Sequence, residues 1–205
     1  NHKQNNINYI SNRVFFMKLI SFAIKSSFIT GAFLSGLALG VLINKDKVLK
    51  KFNKIENISF NFIQTINGKD EKGKCIIKYP KKIFCEYEKR NNKILVSNGS
   101  SIVIKNDRQY YRYPIKSTPF EFLLDKNFLL NKIKSTTLGE VGDKYLFFEI
   151  NEKNNNINIF FSKDNYDLIG WQIEDIYQNL AVTYIFNTSI NKIVDEKLFK
   201  LPSQD

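Results

Sequence analysis

The sequence predicts an α+β protein built on one meandering antiparallel sheet of roughly ten strands. Two observations carry that expectation. Short segments with a period of two recur along most of the chain, whereas helical periodicity is confined to two places. The chain also has 205 residues, 43% of them apolar, with 18 Phe and 10 Tyr. That is enough for one substantial core and favours strands over disorder. A sheet of that size with so few helices must close into a barrel or curl and be covered.

The elements follow in order. Residues 1–16 precede the only methionine, Met17, and read as upstream sequence or a mis-set start. Lys18 and Lys25 then form a positive region before an uncharged, largely apolar stretch at 26–43, with Gly36, Ala38 and Gly40 towards its end. This is the pattern of a cleaved signal peptide, with an uncleaved N-terminal anchor as the alternative. The expected division is 1–44 for this leader and 45–205 for a β domain, which either reading exports. Residues 45–55 predict an amphipathic helix with Val48, Leu49, Phe52 and Ile55 on its apolar face. Beyond it, Ile58, Phe60 and Phe62 alternate with Ser59 and Asn61 as a half-buried strand over 58–66.

Residues 74–79 and 83–87 predict a hairpin with Cys75, Ile77 and Tyr79 facing Ile83, Cys85 and Tyr87. Its two cysteines are either a cross-strand disulfide, permitted in an exported domain, or two small buried thiols. Asn98-Gly99 marks a turn between strands at 94–96 and 101–105, and another strand follows at 108–113. The rhythm breaks at Thr118-Pro119-Phe120-Glu121, which predicts a helix N-terminus with Thr118 as cap and Glu121 completing a capping box. Helical pieces run to about 133, with Phe120, Leu123, Leu124 and Phe128 on one apolar stripe. Strands resume at 138–141, 145–151, 157–161, 168–177 and 180–187, with Gln178-Asn179 as a tight turn. In the fourth of these Ile169, Trp171 and Ile173 are expected on one face. A final short segment spans 194–201.

The formal net charge is +11, and +7 without Lys3, Arg13, Lys18 and Lys25 of the leader. The basic residues are scattered rather than gathered in a stripe or arm, which argues against nucleic-acid binding. The sole histidine, His2, lies in the leader, so His-dependent nucleophilic and metal chemistry has no residues to use. Phosphate-binding and nucleophile-elbow motifs are missing as well. Glu174 and Asp175 are strand neighbours pointing to opposite faces, and Asp164 and Asp167 sit in a turn. Neither pair has the cleft arrangement of a hydrolase. The expectation is a protein without enzymatic activity, cofactor or metal, whose distinctive surface is apolar.

Certain motifs come in a telling order. An amphipathic helix precedes Phe60-Asn61-Phe62-Ile63-Gln64, Gly73-Lys74 and Lys78-Tyr79-Pro80-Lys81-Lys82. Then come Leu95-Val96-Ser97-Asn98-Gly99, Thr118-Pro119-Phe120 with Leu123-Leu124, and Gly170-Trp171-Gln172-Ile173-Glu174-Asp175. Over roughly residues 45–202 the chain resembles the LolA family of periplasmic outer-membrane lipoprotein carriers. The resemblance implies an incomplete β-barrel covered by a helical lid, with an apolar cavity for the acyl chains of lipoproteins. It implies a monomeric shuttle loaded by an inner-membrane ABC transporter and unloaded at an outer-membrane receptor. Phe60, Phe62, Ile77, Tyr79, Ile83, Phe120, Leu123, Leu124, Phe147, Trp171 and Ile173 are the expected cavity and lid residues. Lys81 and Lys82 are the expected partner contacts. The family often has an arginine before the proline matched by Pro80; here that position is Tyr79, whose hydroxyl could still bond to a lid carbonyl but which lacks the charge.

Overall fold

The computed structural model describes residues 36–88, 91–174 and 179–204. Most of the leader therefore lies outside the described residues, as do Asp175 and Gln178. Helix α1 (Gly36–Asn53) precedes strands β1 (Asn57–Ile66), β2 (Lys69–Lys78), β3 (Lys82–Tyr87), β4 (Ile94–Asn98), β5 (Ser101–Lys105) and β6 (Tyr110–Pro114). A 3-10 turn (Ile115–Ser117) and helices α2 (Phe120–Leu123) and α3 (Lys126–Ser135) follow. Strands β7 (Gly139–Val141), β8 (Tyr145–Glu152), β9 (Asn155–Ser162), β10 (Leu168–Glu174) and β11 (Leu180–Ile190) complete one sheet, and a second 3-10 turn (Glu196–Phe199) succeeds it.

The strand order is β6-β5-β4-β3-β2-β1-β11-β10-β9-β8-β7. Every neighbour is antiparallel, and among the described residues only β1–β11 joins strands distant in sequence. Strands β6 and β7 are the two ends of this order, so the barrel is incomplete. The curl follows from what the strands share. Phe60, Ile77, Cys85, Leu95 and Ile102 belong to the same buried cluster as Phe148, Ile159, Trp171 and Ile185 from the other half, together with residues of all the helices.

The period-two pattern works as elementary geometry requires. In β1 the buried positions are Ile58, Phe60 and Phe62, with Ile63 following, and a bulge between Ser59 and Asn61 adjusts the register against β11. Gly73 lies opposite Tyr87, and a Cβ there would come within 2.1 Å of the Glu86 carbonyl oxygen and 2.8 Å of the Phe62 ring. Only glycine allows that approach. At the β4–β5 turn, Gly99 has φ +97° and the Asn98 side chain accepts from the Ser100 and Ser101 N–H groups, 3.0 Å each.

Three local expectations need correction. Thr118 does not cap a helix: its hydroxyl donates to the Ile115 carbonyl at 2.8 Å, closing the preceding 3-10 turn. The side chain that does cap is Asp125, which accepts from the Phe128 N–H at 3.0 Å and divides the lid into two helices. Ile169 does not share a face with Trp171 and Ile173, because the register shifts between Leu168 and Gly170. Leu168 joins Trp171 in the main core, and Ile169 packs on the opposite face with Val141, Tyr145, Phe160 and Val182. Lastly, helix α1 begins at Gly36, ahead of residue 45, so it includes the end of the apolar leader stretch.

Candidate functional site

Inside the curled sheet one end is filled and the other is open. Helix α1 fills the first with Val48 and Phe52, joined by Ile55 just beyond its end, all buried. Phe52 meets Tyr79 and Phe161 edge-on, with ring centroids 6.1 and 5.8 Å apart. Only about 10 Å³ of space is left among Phe52, Ile77, Tyr79, Leu123, Leu129, Ile159, Leu168 and Trp171. At the open end a cavity of about 500 Å³ lies among Ile66, Leu95, Ile104, Tyr111, Pro119, Phe120, Ile173 and Ala181, with Gln64, Glu71, Tyr87, Asn91, Lys93, Asn106 and Gln109 as its polar wall. That size is within the ~300–1,000 Å³ usual for sites that enclose a small molecule.

The expected site residues divide between these regions. Phe120 and Ile173 line the open cavity. Ile77, Tyr79, Leu123 and Trp171 line the filled end, while Phe60, Phe62, Ile83 and Leu124 are buried in the surrounding core. Phe147 is misplaced by the sequence reading. Strand β8 turns Leu146, Phe148 and Ile150 inward, so strict alternation puts Phe147 outside, next to Phe160 and over Gly139. Cys75 and Cys85 are paired across β2–β3 and joined as a disulfide within the main core.

Lys81 and Lys82 turn towards their own chain. Lys82 and Lys78 both pair with Glu196 of the C-terminal 3-10 turn, and the two ammonium groups hold that carboxyl below the usual glutamate range. Lys81 ties the sheet to the lid: its N–H donates to the Leu124 carbonyl at 2.7 Å, and its Nζ stands 3.7 Å from Asp125. Its own carbonyl accepts from the fully buried Ser97 hydroxyl at 2.8 Å. Thus the latch at this proline turn runs through the backbone of Lys81. Tyr79, at the position where the family often has an arginine, packs as an apolar residue, and desolvation pushes its phenol above the ordinary tyrosine value. The lid is further tied to α1 at both ends, by Lys45 to the Thr136 carbonyl at 2.8 Å and by Lys126 to the Asn53 carbonyl at 3.2 Å and Glu56 at 2.7 Å.

The polar wall was not anticipated. Lys93 pairs with Glu71 at 2.6 Å, with side chains only 22% and 15% exposed, and its ammonium stands 4.1 Å from the centre of the Tyr87 ring. Burial, and secondarily Glu71, raise the Tyr87 phenol above its usual value. Gln64 donates to Thr183 at 3.1 Å. No three-residue cluster able to hold a metal occurs among the described residues.

The sequence profile of the family described as outer membrane lipoprotein carrier protein LolA matches residues 53–202. Among curated proteins, none matches the chain in sequence. Similar solved structures include a LolA superfamily protein from Nitrosomonas europaea, at 8% identity and a TM-score of 0.39, covering 77% of this chain and 97% of that one. LprF from Mycobacterium bovis has 9% identity and a TM-score of 0.44, covering 76% and 96%. The Mycobacterium tuberculosis lipoprotein LppX has 12% identity and a TM-score of 0.42, covering 78% and 100%.

Proposed function

The chain belongs to the LolA family, and from that premise we propose that it is a lipoprotein carrier which shelters acyl chains and performs no catalysis. The observation that carries this reading is the 500 Å³ cavity whose apolar wall includes Ile66, Leu95, Ile104, Phe120 and Ile173 and whose rim includes the lid. Acyl chains gain roughly 25 cal/mol per Å² of surface taken from water, which suits capture without a covalent step. The filled end anchors α1 and the lid, and the open end receives cargo. Release then requires the lid near Phe120 to move, and the Lys81–Leu124 bond is the contact such a movement breaks. In this role the protein works as a monomer in the periplasm, exported by its N-terminal segment. It takes acylated lipoproteins from an inner-membrane ABC transporter and passes them to an outer-membrane receptor.

A second reading keeps the same pocket but tethers it to the membrane. It is favoured by α1, which runs without interruption from Gly36, within the apolar stretch, to Asn53 against the lid. Fractionation with N-terminal sequencing of the mature protein separates the two, since only a cleaved protein can cross the periplasm. The carrier reading is tested by native mass spectrometry with lipid extraction, on protein isolated from a Gram-negative envelope. A co-purifying acylated lipoprotein is expected. Protein that is empty as isolated, and stays empty when offered acylated peptide, would overturn the reading.

A further inference from the structure

Resting on the lipid-binding reading of this pocket, we propose that Lys93 is its head-group donor. Its ammonium hydrogen-bonds an ester or amide carbonyl at the polar end of an acyl lipid whose chain lies along the apolar wall.

The inference comes from comparing Lys93 with the Gln64, Asn106 and Gln109 side chains of the same wall. The Gln64 amide nitrogen is occupied by the Thr183 hydroxyl. Asn106 and Gln109 are bonded to each other within the β5–β6 turn: the Asn106 carboxamide oxygen accepts from the Arg108 and Gln109 N–H groups, 2.9 Å each, and its nitrogen donates to the Gln109 side-chain oxygen at 3.3 Å. Lys93 differs. An ammonium carries three N–H donors, and the one acceptor it meets among the described residues is Glu71. Its other contact there is the face of Tyr87, which holds the cation without using up an acceptor.

Glu71 and Tyr87 therefore do two things. They offset the cost of holding a charge where the side chain is only 22% exposed. They also fix the ammonium beside the cavity, with donor capacity left for a ligand. A bare acyl chain gains nothing from that capacity. A carbonyl oxygen one bond from the chain gains a charge-assisted hydrogen bond inside a poorly solvated wall. The site should thus distinguish an acyl ester or amide from an alkyl ether of the same length.

The test compares ester-linked and ether-linked phosphatidylglycerols of equal chain length, and a dipalmitoylated cysteinyl peptide, by displacement of a fluorescent fatty acid from the full chain. The wild type is expected to bind the ester lipid about tenfold more tightly than the ether lipid. The double variant Lys93→Met/Glu71→Gln removes the pair together and avoids stranding a buried carboxylate. It is expected to bind both lipids alike, at the ether affinity, once each displacement is referred to that protein's own probe titration, since a carboxylate probe also loses the ammonium. Ester preference that survives in the double variant, or is missing from the wild type, overturns the assignment of Lys93 and leaves the pocket standing. Loss of probe binding by the wild type itself overturns the pocket as well. Preference for the peptide over phosphatidylglycerol would identify lipoprotein as the source of the carbonyl, and the reverse would identify bulk phospholipid.

Discussion

The backbone N–H of Lys81 donates to the carbonyl of Leu124 at 2.7 Å, joining the β2–β3 turn to the last residue before the lid divides. The bond is one link in a longer chain. The Ser97 hydroxyl holds the Lys81 carbonyl, and Asp125, beside Leu124, caps α3 through Phe128. Strand β4, the proline turn and the lid are thereby continuous in hydrogen bonds.

Replacing Asp125 by Ala removes the α3 cap together with the carboxylate facing Lys81. The expected cost is about 1 kcal/mol, most of it from the cap. Lys81→Met, which keeps the backbone bond, should cost under about 0.5 kcal/mol. Hydrogen exchange is the measurement: Asp125→Ala should speed exchange at the Lys81 and Phe128 amides, and Lys81→Met should leave both close to wild type. Equal effects would mean that the side-chain pair, and not the backbone, is the latch.

Sorting of the aromatic residues predicts a second contrast. Phe120→Ala, at the open cavity, should weaken binding of a fatty-acid probe several-fold. Phe147→Ala should leave that affinity unchanged and cost stability of about 1–2 kcal/mol by uncovering the outer face around Gly139. Probe titration and urea unfolding on the same two variants decide it. Weaker probe binding by Phe147→Ala would place the ligand on the wrong face for this account.

Glu196 predicts a pH dependence. Its carboxyl is held down in the folded protein by hydrogen bonds from Lys78 and Lys82. The contribution is therefore present above the ordinary glutamate range and lost as pH falls through the lowered folded value. The C-terminal 3-10 turn should release from β3 only in acid, below the midpoint of a free glutamate. Side-chain NMR of Glu196 and amide exchange at Leu198 and Lys200 would follow it. Titration of Glu196 at an ordinary midpoint would remove this attachment from the account.

Replacing Cys75 and Cys85 together by Ala should destabilise the protein by about 2–3 kcal/mol, read from unfolding under non-reducing conditions. The wild type under reductant should move towards the variant. No shift on reduction would mean that the cross-strand pair adds nothing to the folded state.

The strands were legible because one face is buried, so the period of two was imposed on nearly every segment. Phe147 shows where that signal thins: Tyr145-Leu146-Phe147-Phe148 is apolar on both parities. Glu149, which shares the parity of Phe147, was the available clue to its outward side. Ile169 was lost to a register shift that only the partner strand reveals. The split in the lid was written in Asp125, a good cap residue, but Thr118-Pro119 drew the helix start towards itself. Nothing in the sequence joins Glu71 to Lys93. They sit on different strands or their approaches, each among other charged residues, and only the curl of the sheet carries the pair to the cavity. The filled and open ends were equally hidden, since a lined void and a packed core have the same hydrophobic pattern.

Strands β6 and β7 end the sheet without meeting. A closed barrel has a fixed girth, because widening it means tearing a ladder of backbone bonds. Here, among the described residues, the seam holds no ladder, and the spine opposite it is the long β1–β11 pairing. The cup resembles a spring clip, whose jaws can part along the seam while each strand keeps its neighbour. If the protein shelters acyl chains as proposed, one receptacle could then fit different numbers of them, with the lid segment that joins β6 to β7 limiting how far the jaws open.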